Sequence, residues 1–443
     1  DVREVVLTGF ARSNPQHNTN SPLYGLDNRI YLANEGTIHT EQFPEQFGHE
    51  GDSVRFVDRP GSAVLPPNAA GRNVRFRPDT GELGTTSAST QFGHTFDRWG
   101  RHFLVDNTHH LYHEVLDARY LLRNPDLTVP TVVHHTPDHG SASPVYAITE
   151  NPQHQLLTDR GVITAACGLT AYLAEGLPRP YRDAMFVAEP VHNLVHVDSL
   201  SGAGASFTGH RVLENREFLA SRDAWFRPVN FYVGPRGALY VIDYYRRVIE
   251  HPEWMAEEDT TGDLYAGTDR GRIYRVTGPG TTPPDLASID LGAAGADELI
   301  ARLGEPNIWW RRNAQRLLVD RYGPAPSDGD RANRSAGRGE HEGTAGTPAE
   351  AVRKQLARTA EGHADPTARL HALWTLEGIG SLTQTTVLAA LRDPHPGVRE
   401  NALRLAERFL PESAALADRV IAMAQAMIQP APRASASASS GGV

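Results

Sequence analysis

Val233-Gly234-Pro235-Arg236-Gly237-Ala238-Leu239-Tyr240-Val241-Ile242-Asp243 reads as a tight turn followed by an apolar strand that ends on an acid. The Arg-Gly step supplies the turn, and the alternation after it buries one strand face, which is the pattern of a β-hairpin. The same unit stands at Tyr24-Gly25-Leu26-Asp27-Asn28-Arg29-Ile30-Tyr31-Leu32-Ala33-Asn34, and again from Phe92 to Asn107 around Asp97-Arg98-Trp99-Gly100. A degenerate copy begins at Cys167-Gly168-Leu169-Thr170 and resumes at Ala184-Met185-Phe186-Val187-Ala188-Glu189. With outer strands at Asn73 to Pro78 and Gly271 to Val276, these copies predict the four-stranded blades of a β-propeller. Four copies fall short of the six-bladed type. About two blades are therefore expected upstream of Asp1, leaving an open arc over residues 1–277. The alternative is a closed ring in which Val2 to Leu7 pairs with Gly271 to Val276.

Beyond a linker at 278–284 the apolar period changes from two to about 3.6. Trp309-Trp310-Arg311 with Ala314, Asp365-Pro366 with Arg369 and Ala372, and Asp393-Pro394 with Arg399 and Ala402 repeat one pattern: a proline-marked turn, then an arginine and a small residue. This predicts α-helical HEAT-like repeats over 285–428. Residues 323–346 and the tail 429–443 are poor in apolar residues and are expected to be disordered.

Composition narrows the chemistry. A formal net charge of -10 argues against nucleic acid as a partner, and no apolar run approaches the length of a membrane helix. Lys354 is the single lysine, so an anion bound earlier in the chain falls to arginine or backbone N–H groups. Cys167 is the single cysteine, which excludes an internal disulfide, a cysteine-rich zinc site and the paired-cysteine attachment of a c-type haem. Inner strands run along the channel, so residues at equivalent ends of successive strands should meet at one mouth. Asn14, Gln16, Gln91, Glu189, His192, Arg227 and Asn230 satisfy that condition. His192 and His196 lie too far apart on an extended strand to share an ion, and His134, His135, Asp138 and His139 read as a surface loop cluster.

The blocks Leu7 to Phe10, Ser13 to Gln16, Gln91 to Asn107, Ala166 to Thr170, Glu189 to His196, Trp225 to Asn230 and Asp243 to Arg246 resemble those of the haem-binding, membrane-bound dehydrogenase-type proteins of planctomycetes. Their propeller is similar to soluble quinoprotein glucose and sorbosone dehydrogenases, and HEAT-like repeats follow it. The resemblance implies a periplasmic or cell-envelope dehydrogenase for a sugar or alcohol, with pyrroloquinoline quinone (PQQ), calcium and a cytochrome c-type electron acceptor. Its base lies in a His-Arg-Asn-Pro-Gln-like motif, matched here by Arg12-Ser13-Asn14-Pro15-Gln16-His17. Asn14 and Gln16 carry over, Arg12 stands at the histidine position, and His17 is the nearby substitute. An always-charged guanidinium cannot act as a base at neutral pH. For the quinone the resemblance points to Arg227 and Arg246, which could instead pair with Glu189, Asp243 or Glu250 between blades. For calcium it points to the carbonyls of Ser143 and Pro144. The competing reading is a non-catalytic propeller and helical scaffold that binds carbohydrate, or a protein on its helical surface.

Overall fold

The computed structural model describes residues 3–38, 44–150, 160–250, 263–281, 285, 287, 289–324 and 348–428. Four antiparallel sheets follow one another along the chain. The first is β2 (Asn20–Tyr24), β3 (Ile30–Ala33), β5 (Val74–Phe76) and β6 (Leu83–Thr85); a ribbon of β1 (Leu7–Thr8) and β4 (Arg55–Phe56) stands beside it. The second is β7 (His94–Phe96), β8 (His102–Leu104), β9 (Tyr112–Glu114) and β10 (Val133–His135). The third runs β11 (Cys167–Ala171), β12 (Met185–Glu189), β13 (Leu194–Ala203) and β14 (Ser206–Arg211), with β15 (Leu219–Ala220) also on β13. The fourth holds β16 (Pro228–Val233), β17 (Leu239–Asp243) and β18 (Arg272–Val276). This is a four-blade propeller arrangement.

Each repeated turn closes the first hairpin of its blade. Gly25 N–H donates to Arg29 O at 2.7 Å, with Asn28 at φ 62°. Asp97 Oδ1 accepts from the N–H groups of Trp99 and Arg101 at 2.9 Å each, and Gly234 N–H reaches Ala238 O at 2.9 Å. In the degenerate copy the turn is replaced by a longer excursion, closed where Asp183 N–H donates to Tyr172 O. β1 pairs with β4 rather than with β18, so the closed-ring alternative does not form. The outward residues of β18 are exposed.

Seven α-helices follow among the described residues: α1 (Ala296–Arg302), α2 (Ile308–Tyr322), α3 (Pro348–Gly362), α4 (Pro366–Gly378), α5 (Gln384–Ala390), α6 (Pro396–Ala406) and α7 (Ala414–Ile428). The expected disordered insertion lies almost wholly outside the described residues, as do the tail and part of the linker. The repeated arginine has a definite task. Arg311 Nη1 donates to the carbonyls of Glu305 and Pro306, Arg369 Nη1 to those of His363 and Ala364, and Arg399 Nη1 to those of Asp393 and Pro394. Each side chain thus folds back five and six residues and ties its helix to the turn before it. The alanine three positions later is fully buried in all three copies, letting the neighbouring helix approach. Arg369 also holds Asp393 through Nε and Nη2 at 2.6 and 2.8 Å. Arg369→Ala is therefore expected to lower the stability of the helical segment by about 2 to 3 kcal/mol, read as a shift in urea midpoint.

The helices sit on the repeated turns. Gln315 Nε2 and Trp374 O both meet Asn28, Asn401 Nδ2 donates to Trp99 O, Asn307 Nδ2 to Gly234 O, and Trp310 Nε1 to Pro235 O. Ile308 N–H donates to Leu173 O in the excursion of the third blade. Arg77 and Arg101 add ion pairs to Glu377 and Glu400. All four blades are therefore gripped at one end, and the opposite end, where the innermost strands β2, β7, β11 and β16 begin, carries no helix of this segment in these contacts.

Candidate functional site

The residues just before the innermost strands occupy that opposite end. Asn14-Pro15-Gln16-His17 forms a single turn: Asn14 Oδ1 accepts from Gln16 N–H at 3.0 Å, and proline fixes the first helical position. The turn places the buried His17 ring against Glu35, with Nδ1 at 2.6 Å from Oε2. His17 Nε2 lies 3.4 Å from the Gln91 side-chain nitrogen. With Nδ1–H donating to the carboxylate, the lone pair sits on Nε2, as a proton acceptor requires. Arg12, at the matched histidine position, is exposed and pairs through its backbone with His49.

Gln16 and Arg227 reach one segment. Gln16 Nε2 donates to Glu250 Oε1 at 2.8 Å and approaches Ile249 O. Arg227 donates to Arg246 O, Arg247 O and Pro190 O at 3.2, 2.8 and 2.8 Å. Both therefore lie at the same end of the channel, but Arg227 is 1% exposed and its Nε, Nη1 and Nη2 all end on main-chain carbonyls. Burial lowers its pKa to about 10 against the opposing pull of Asp243, Glu189 and Asp223. Arg246 similarly donates to the carbonyls of Tyr244, Tyr245 and Arg270 and covers the Tyr244 ring. The blade-to-blade carboxylate pairs weighed for these arginines are replaced by carbonyl contacts. Glu189 Oε2 accepts from the N–H groups of Thr164 and Ala165, and its Oε1 lies 3.3 Å from His192 Nδ1. Asn230 Oδ1 accepts from Phe231 N–H. The Ser143 and Pro144 carbonyls accept from Ile163 N–H at 2.8 Å and Arg211 Nη1 at 2.9 Å.

Residues 1–279 match the family model described as domain of unknown function DUF7133, more than half of the chain. The chain belongs to that family. No curated protein matches. Among solved structures the DUF7133 chain is similar to the apo form of a soluble aldose sugar dehydrogenase from Escherichia coli, at 12% identity and TM-score 0.26, over 52% of this chain and 62% of that one. A protein described as a gluconolactonase follows at 16% and 0.23, over 52% and 58%. An oxidoreductase of Thermus thermophilus described as a glucose dehydrogenase gives 14% and 0.24, over 51% and 57%. The chain thus spans roughly three-fifths of the length of each.

In the DUF7133 propeller the His17 dyad has the geometry of a proton acceptor, and its carboxylate partner was not legible as such: Glu35 is the residue after the Asn34 that ends the first repeat. A separate cavity of about 500 Å³ opens on the flank of the blades, beside α6. Its charged walls are already matched, Arg75 with Asp117 and Arg101 with Glu400. The thiol of Cys167 is buried, and burial pushes its pKa up, so it is no nucleophile. No helix among the described residues is long and apolar enough to cross a membrane.

Proposed function

We propose that the propeller is an extracytoplasmic, quinoprotein-like module that oxidises a sugar or alcohol at the end remote from the helices and delivers electrons to a cytochrome c-type acceptor. The observation that carries this is the His17–Glu35 pair, 2.6 Å apart, with Nε2 turned to Gln91. His17 takes the hydroxyl proton as the hydride leaves the same carbon for a quinone acceptor, Glu35 holds the His17 tautomer, and Gln91 places an amide beside Nε2 for a substrate hydroxyl. The residues that the resemblance assigns to PQQ and calcium are engaged elsewhere, so a quinone acceptor would be held at this end by other groups. Arg227 and Arg246 already serve backbone carbonyls, and the Ser143 and Pro144 carbonyls already accept hydrogen bonds.

The test supplies both. Full chain is incubated with calcium and PQQ, and dye reduction is followed with aldoses and primary alcohols. Reduction is expected, and His17→Gln should slow it about 100-fold or more while leaving the circular dichroism unchanged. No reduction with any substrate, or an unaffected variant, overturns the reading. The engaged arginines favour a second reading, a propeller that binds carbohydrate without turnover; calorimetric sugar binding with no quinone absorbance would establish it.

A further inference from the structure

Three imidazoles converge on one carboxylate between the second and third blades. His110 precedes β9, His139 lies in the loop after β10, and His196 and Asp198 are alternate residues of β13, so their side chains share one face. His110 Nε2 is 3.0 Å from Asp198 Oδ2, and His196 Nε2 is 3.0 Å and His139 Nε2 3.6 Å from Asp198 Oδ1. Ligand atoms from all four residues lie within 4.8 Å of one another. His110, His196 and Asp198 are at most 1% exposed.

The far side of each ring shows which nitrogen is free to bind. His196 Nδ1 is held by Glu217 Oε2 at 2.9 Å, and His139 Nδ1 by Asp138 Oδ1 at 2.9 Å. A neutral imidazole that donates from Nδ1 carries its lone pair on Nε2. Either a proton or a metal ion must then stand between each of these nitrogens and the carboxylate oxygen they face. His139 Nε2 is buried and makes no hydrogen bond. Carboxylates on the outer nitrogens are the supports that orient histidine ligands of metal ions. His110 is fixed by burial and Asp198 alone, its Nδ1 being without a hydrogen-bond partner.

We propose that His110, His139, His196 and Asp198 bind one divalent transition-metal ion, zinc above all, which fastens the second blade to the third. Three imidazole nitrogens and one carboxylate suit zinc and its neighbours, whereas calcium and magnesium require a shell of oxygens. Ligands about 2 Å from a tetrahedral ion stand about 3.3 Å apart, so small ring rotations complete the site. Four protein ligands leave no open position, which makes the ion structural rather than catalytic. The site is independent of the channel mouth, and its failure would leave the proposed oxidation untouched.

The test uses full chain without a histidine tag. After zinc loading and gel filtration, elemental analysis should find about one zinc per chain, and cobalt(II) should give the visible bands of a tetrahedral site. Chelator should lower the melting temperature, and zinc but not calcium should restore it. His139→Gln, on a loop where folding is not at stake, should abolish retention. Asp138→Asn should weaken affinity about 10- to 100-fold, and the exposed His49→Gln should change nothing. Trace metal only, with no melting shift on adding zinc, or calcium acting as well as zinc, would overturn the proposal.

Discussion

Arg227→Ala should destabilise the propeller by about 3 to 5 kcal/mol, one of the two largest single-residue losses expected in this chain. The guanidinium joins two segments that no sheet joins: the turn after β12 through Pro190 O, and the segment after β17 through Arg246 O and Arg247 O. Its own N–H is held in turn by Asp243 Oδ1 at 2.8 Å, which also accepts from Tyr245 N–H. Truncation leaves three carbonyls short of charge-assisted donors and opens a cavity the size of an arginine side chain. Each unsatisfied buried group costs about 1 to 3 kcal/mol, and water entering the space recovers part of it. Lysine should rescue little, because one ammonium cannot reproduce the planar fork that spans these carbonyls. Urea unfolding followed by tryptophan fluorescence measures the loss. A change below about 1 kcal/mol, the usual range for a residue outside packed structure, would show that the carbonyl cage is not what holds these segments.

The sequence leaves two roles open for the same residue, a cation for the quinone or a carboxylate pair between blades; the structural role holds with carbonyls as the partners, and the reason is physical. An arginine before an inner strand looks the same in sequence whether its charge faces a channel or a ring of carbonyls, because every residue offers a carbonyl. Features set by local chemistry were legible. The Asp-Asn, Trp-Gly and Arg-Gly turns demand left-handed or tight backbone wherever they occur, and all three close hairpins. The arginine and alanine of the helical repeats were legible for the same reason, since both act within about six residues. Long-range convergence was not. His192 and His196 do go to separate partners, Glu189 and Glu217, but His192 lies in the turn between β12 and β13 and not on an extended strand with His196. His196 nevertheless meets His110 and His139, which are brought in by a neighbouring blade, and Asp198 two residues along its own strand. Of the loop expected at the surface, Asp138 is exposed, whereas His139 is mostly buried in that cluster. Likewise the His17–Glu35 contact depends on the first hairpin folding back, which spacing along the chain does not reveal.

Gly168→Ala should cost a similar amount, about 3 to 5 kcal/mol, through a different mechanism. Gly168 opens the irregular register of β11 on β12 at φ 63°, which an alanine adopts only under strain. Space is the larger obstacle. A Cβ there would stand 2.5 Å from Val229 O and 2.7 Å from Asn230 Cα, both backbone atoms of the next blade. On the other side Gly93 approaches Gly168 so closely that its own Cβ would be 2.9 Å from Gly168 Cα. The two glycines thus let three innermost strands, β7, β11 and β16, close up at the end where Gln91 and Asn230 lie. Backbone cannot swing aside as a side chain can, so an added methyl must push whole blades apart. Gly140→Ala is the control: φ there is 81°, yet nothing lies within 4 Å of the added carbon. It should show the conformational cost alone, about 1 to 2 kcal/mol. Equal losses for the two variants in the same urea titration would mean that the inner strands have slack at this contact. A much larger loss for Gly168→Ala would show that blade spacing at the candidate mouth is set by backbone touching backbone.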